Sequence, residues 1–177
     1  MYLLSTLSVN LNKEPIYPHK SMQKLDSLNQ VADFHRTFKA PILETPQIPS
    51  ANRCELRVSL IAEELKELQE AIDNNDLVEV ADALCDIQYV LSGAVLEFGL
   101  GEKFVELFNE VQRSNMSKAC STHQEAEATV KHYFDKDGTE AEIVKDGNKF
   151  LVYRIIDNKV LKSVGYSPAN LRGILGV

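Results

Sequence analysis

Apolar residues recur at helical spacing through most of the chain. Leu28, Val31, Phe34 or His35, and Phe38 predict a helix over about 25–39. Pro41, Pro46 and Pro49 then enforce a loop, because each proline fixes its own backbone and biases its predecessor away from helix. Val58, Ile61, Leu65, Leu68 and Ile72 form the apolar stripe of a second helix over 53–73, and Asn74, Asn75 and Asp76 mark its end. Val80, Leu84, Ile87, Leu91, Ala94 and Phe98 do the same for a third over 77–98, which Gly99 and Gly101 stop. A fourth, over 102–119, is expected to point Phe104, Phe108 and Val111 inward. Short connections favour antiparallel neighbours.

After Cys120 the pattern changes. Thr122 and Glu125 have the spacing of a capping box opening a short helix that ends at Lys131 or Phe134. The apolar runs 141–144, 150–156 and 160–164 are separated by Asp137-Gly138, Asp146-Gly147 and Asp157-Asn158, the pattern of an antiparallel meander. The expected architecture is an all-α core, an antiparallel four-helix-type bundle over 22–120. An arm over 1–21 precedes it, and an extension over 121–177 with a short helix and antiparallel strands follows.

Charge changes the picture in one respect. Lysine plus arginine is 19 against 26 aspartates and glutamates, a net charge of -7, which argues against a nucleic acid polymer as partner. No run approaches the roughly 20 apolar residues that cross a bilayer, so no membrane partner is expected. The first residues lack the basic flank of a signal peptide, and Cys54, Cys85 and Cys120 match no metal or redox spacing. A cytoplasmic protein with reduced thiols is the expectation.

Much of the acid excess falls between Glu63 and Asp86. Glu64 and Glu67 on the second helix, and Glu79 and Asp82 on the third, are each an i, i+3 pair, which sets two carboxylates on one helix face. Leu60, Glu64, Glu67 and Ala71 share a stripe at the shoulder of the second helix, so its acids interrupt an apolar row. Glu79, Asp82, Asp86, Val90 and Gly93 share one face of a third helix that is otherwise apolar almost all round. Carboxylates facing one another across such a pair repel unless a cation neutralises them, and Mg²⁺ suits hard oxygen donors. Zinc lacks its His or Cys ligands here. The alternative is a solvated acidic face balanced by Lys66 and Arg57. On the fourth helix, Asn115 and Lys118 continue the apolar stripe. Either they meet an anion there, or they serve the helix end and its dipole.

These segments resemble the all-α nucleoside triphosphate pyrophosphohydrolases, the MazG-like superfamily that includes dimeric dUTPases and phosphoribosyl-ATP pyrophosphohydrolase. The resemblance lies in E-x-x-E followed by E-x-x-D, matched by Glu64, Glu67, Glu79 and Asp82, within the longer stretches 60–68, 81–90 and 113–118. It is nearest to the branch often labelled Cof-like phosphohydrolases, and 157–162 with 166–168 echo it more weakly. It implies hydrolysis of a nucleoside triphosphate between the α and β phosphorus atoms, as nucleotide-pool house-cleaning. Glu64, Glu67, Glu79 and Asp82 would hold two or more Mg²⁺ ions, with Mn²⁺ as a substitute. Glu63 is the candidate to orient or deprotonate water, its alternative being a plain surface glutamate. Lys118 would contact phosphate, Asn115 phosphate or nucleoside, and Asp86 a metal or ribose. The resemblance also implies a homodimer or homotetramer, for which the apolar third helix offers physical support. Residues 121–156 read as an insertion. Two other readings stay open: a phosphoribosyl-ATP pyrophosphohydrolase, and a non-enzymatic metal-binding helical module.

Overall fold

The computed structural model describes residues 23–177. The expected arm over 1–21 lies outside the described residues. Six helices and two strands follow in order: α1 Ser27–Phe38, α2 Ala51–Asp73, α3 Leu77–Glu97, α4 Phe104–Met116, α5 His123–Asp137, β1 Ala141–Asp146, β2 Lys149–Arg154 and α6 Leu171–Leu175. Among the described residues no single helix is long and apolar enough to cross a membrane.

The centre is the α2–α3 hairpin. The Asp76 side chain caps α3 by accepting from Val78 N at 3.0 Å and Glu79 N at 3.2 Å, so the chain reverses within three residues. α1 lies on α3, where Val31 and Ala32 bury against Leu96 with Ile42 packed beside them. The proline loop is strapped to the end of α3, Leu43 N donating to Leu96 O at 3.0 Å and Gln47 N to Phe98 O at 3.1 Å. Gly99 makes this close approach feasible. Its φ is +67°, and a Cβ there would stand 2.0 Å from Thr45 O. Gly99→Ala is therefore expected to cost about 2 kcal/mol or more and to lower the melting temperature by about 4–8 °C in a thermal scan.

Two sequence expectations need correction. The fourth helix does not close a bundle within one chain: α4 leaves α3 at a bend of 112° and packs on α6 and the 3-10 turn Gly101–Lys103. Phe108, expected inward, is 62% exposed. The inner stripe of α2 is also displaced, since Leu65 is 59% exposed and Val58 and Ile72 are exposed too, whereas Arg57 and Ala71 are buried. α2 meets α3 along its shoulder, and its most apolar stripe faces away from its own chain.

The carboxy-terminal part has a core of its own, Cys120, Ala126, Val152 and Leu161, enclosed by Val130, Tyr133, Ile143 and Phe150. The capping box forms: Thr122 Oγ1 accepts from Glu125 N at 3.1 Å, and the Glu125 carboxylate accepts from Ser121 N at 2.8 Å. α5 continues to Asp137, beyond its expected end, until Gly138 caps it at φ +73°. β1 and β2 pair antiparallel from Ala141↔Arg154 to Asp146↔Lys149. The third run of the expected meander contributes only the bridge Tyr153↔Val160, so the sheet has two strands.

Candidate functional site

The register of the α2–α3 hairpin decides which acids meet. A Cβ on Gly93 would lie 2.6 Å from Arg57 Nη1, so these two positions face each other. Two helical turns onward on α2 and two turns back on α3 bring Glu64 opposite Asp86. Both are half-buried at the seam, while Glu63, Glu67, Glu79 and Asp82 are exposed along its rim. Burial is the largest influence pushing the Glu64 carboxyl above the usual range, and the charges of Asp86, Glu67, Glu63 and Asp82 follow in that order.

Five of the six acidic candidates are thus electrostatic neighbours, with Asp86 acting on Glu64 more strongly than the motif acids do. Glu79 stands nearer the hairpin turn and is not among the four acids that raise Glu64 most. The cations that could have balanced the cluster are engaged elsewhere. Lys66 pairs with Glu70 at 3.0 Å, and Arg57 pairs with the buried Glu97. None of the six acids forms an ion pair among the described residues. Nor do any three Asp, Glu, His or Cys side chains there converge on one ion-sized point. The donor set is nonetheless wholly carboxylate, partly desolvated and unbalanced, which fits a hard divalent cation and not zinc.

Asn115, in the last turn of α4, and Lys118, just past its end, are brought together, away from the packed face of the α2–α3 pair. Lys118 Nζ donates to Asn115 Oδ1 at 2.8 Å. The end of the chain is fastened to the same helix. Arg113 Nε and Nη2 each donate to the Glu110 carboxylate at 2.8 Å, and Asn170 N donates to it at 2.7 Å. Arg113, and next Asn170, hold the Glu110 carboxyl at about 2. A carboxyl depressed in the fold adds stability above its ordinary value of 4.5 and loses it as pH falls through about 2. The Asn170 amide resonance is accordingly expected to titrate with a midpoint near 2. A midpoint at the ordinary 4.5 would deny the clasp.

Sequence reasoning did not single out Glu97, the centre of a buried group between α1, α2 and α3. Glu97 accepts from Arg53 Nε at 3.0 Å and from Arg57, and His35 Nε2 lies 3.4 Å from Arg57 Nη2. His35 Nδ1 is 2.8 Å from Pro41 O, so the imidazole is a satisfied core group. A glutamate at the end of an apolar helix and two arginines at i, i+4 near the start of α2 were the available signals.

Comparison with known proteins bears on the acidic seam. Residues 31–115 match the family model described as phosphoribosyl-ATP pyrophosphohydrolase. The chain is also similar to an uncharacterized protein, L479, of Acanthamoeba polyphaga mimivirus: 25% identical, over 86% of this chain and 97% of that protein. That likeness continues well beyond residue 115, into the carboxy-terminal unit. The family match takes in α2, α3 and every acidic candidate, and for this helical part of the chain it supports the MazG-like superfamily of all-α pyrophosphohydrolases.

Proposed function

We propose that the protein hydrolyses a nucleoside triphosphate between its α and β phosphorus atoms, giving a nucleoside monophosphate and pyrophosphate. The observation that carries this reading is the carboxylate-crowded seam at Glu64, with its nearby cations committed to other partners. Glu64, Glu67, Glu79 and Asp82 would hold two or more Mg²⁺ ions, or Mn²⁺ in their place, and Asp86, opposite Glu64, would be a further ligand or ribose contact. A metal held by these carboxylates would neutralise phosphate charge and lower the pKa of an attacking water. Glu63, turned about 100° from Glu64 on the helix, orients that water or takes its proton. Lys118 meets phosphate oxygens, and Asn115 phosphate or nucleoside. The role is house-cleaning of nucleotide pools in the cytoplasm.

The apolar faces of α2, α3 and α4 support a homodimer or homotetramer. Leu65, Leu84 and Phe108 are all more than half exposed in the single chain, and α4 extends without a bundle to join. Phe108→Asp is expected to shift the mass measured by light scattering toward the monomer. An unchanged mass would remove Phe108 from the interface.

A second reading, phosphoribosyl-ATP as substrate, is favoured by the description of the matching family. One experiment separates them: pyrophosphate release from ribo- and deoxyribonucleoside triphosphates and from phosphoribosyl-ATP, with Mg²⁺, Mn²⁺ or EDTA. Turnover of phosphoribosyl-ATP alone would replace the first reading with the second. Metal binding without any turnover would leave a non-enzymatic module.

A further inference from the structure

Residues 121–156 depart from the end of α4 and bring the chain back to it. Cys120 and Phe150 exchange backbone hydrogen bonds at 2.9 Å, and Leu161 N donates to Val152 O at 2.8 Å. The returning segment is then fixed to the last turns of α4. Ser163 N donates to Lys118 O at 3.2 Å, Ser167 N to Ser117 Oγ at 3.0 Å, and Arg113 to Ser167 Oγ and Pro168 O, both at 3.0 Å. Lys118 and Lys162, far apart in sequence, are thereby carried to one seam.

Tyr166 occupies the middle of that seam. Its hydroxyl shares a 2.9 Å hydrogen bond with Ser114 Oγ, on a residue only 4% exposed. The Lys162 ammonium sits 4.4 Å from the Tyr166 ring centroid. A surface lysine is ordinarily a diffuse contact because its stem is flexible and its charge well hydrated. Here the ring restrains the ammonium, and a buried serine beside Asn115 restrains the ring. Besides the Ser114 hydrogen bond, the charges of Lys162, Lys118 and Arg113 hold the Tyr166 hydroxyl below the usual tyrosine range. Among the described residues neither lysine has a carboxylate partner, although the chain carries a net charge of -7. Arg113 is already bound to Glu110. The seam therefore offers two ammonium groups with spare donors, beside the Asn115 amide. One carboxylate would satisfy one ammonium, whereas a diphosphate has the charge and oxygens to engage both.

We propose that Lys118 and Lys162 form a two-ammonium subsite for a diphosphate group, with Tyr166 as the residue that positions Lys162. The proposal rests on the pyrophosphohydrolase reading and adds Lys162, carried in by the tail, as a second ammonium for the substrate's phosphates beside Lys118. The test is calorimetric titration of the full chain with inorganic pyrophosphate in EDTA, which takes metal out of the measurement. Lys162→Met is expected to weaken binding about tenfold, the worth of one charge-assisted contact. Lys162→Arg should keep most of the affinity, and Tyr166→Phe, which retains the ring, should lose about threefold. Circular dichroism of each variant checks the fold. Wild-type affinity in Lys162→Met, or no pyrophosphate binding by the wild type, overturns the proposal even if Mg²⁺-dependent turnover is found. Pyrophosphate binding that depends on Lys162 in a protein without any turnover leaves the subsite standing and removes the enzymatic reading.

Discussion

Glu67→Gln and Asp82→Asn are expected to reduce Mg²⁺-dependent pyrophosphate release by about three orders of magnitude while leaving the helical fold intact. Losing a ligand forfeits charge stabilisation of several kcal/mol in the transition state, and about 4 kcal/mol corresponds to a thousandfold in rate. The geometry adds a second readout. Both acids contribute to the field that raises the Glu64 carboxyl, so removing either charge relieves repulsion in the metal-free protein. The melting temperature in EDTA should stay level or rise slightly. Added Mg²⁺ should raise that of the wild type, through binding linkage, and that of the variants much less. Asp86→Asn belongs with them, because Asp86 is the strongest charged neighbour of Glu64. Undiminished turnover in both Glu67→Gln and Asp82→Asn would remove them as metal ligands.

The acidic seam was legible in the sequence because helical periodicity alone sets residues three apart on one face. Periodicity says nothing about the rotation of one helix against another. The ranking within the cluster, with Asp86 opposite Glu64 and Glu79 displaced toward the turn, needed the register that Arg57 and Gly93 disclose. The same limit explains the misplaced stripe of α2. Val58, Leu65 and Ile72 form a good apolar face, but a face records that something covers it, not whether that cover comes from the same chain. The direction of α4 depends on the backbone after Gly99, where φ +67° leads into the 3-10 turn and the 112° bend. Turn residues signalled a break there without its angle. The capping box of α5 was readable because its partners are local. The contact of Tyr166 with Ser114 was not, since it depends on how the intervening unit folds back.

Glu97→Ala is expected to cost the fold about 3 kcal/mol. Glu97 is 1% exposed and is the only carboxylate hydrogen-bonded to Arg53 and Arg57 among the described residues. Burial pushes its carboxyl up, but the hydrogen bonds and charges of the two arginines outweigh that and hold it below the usual range. Its contribution is present above the ordinary carboxylate range and disappears as pH falls through the lowered value. Removing one partner of a buried ion pair costs about 3–5 kcal/mol, because the other charge is left uncompensated. The lower end applies here, since Arg53 is partly exposed and can turn to water. Arg57 has no such exit, being packed against Gly93 and His35. For a chain of this length about 3 kcal/mol lowers the melting temperature by about 6–12 °C, measured at fixed protein concentration so that association does not enter. The loss should shrink at low pH, where the wild-type carboxyl is protonated as well. A loss that does not shrink as pH falls through the lowered value would assign the effect to the cavity left by the side chain rather than to its charge.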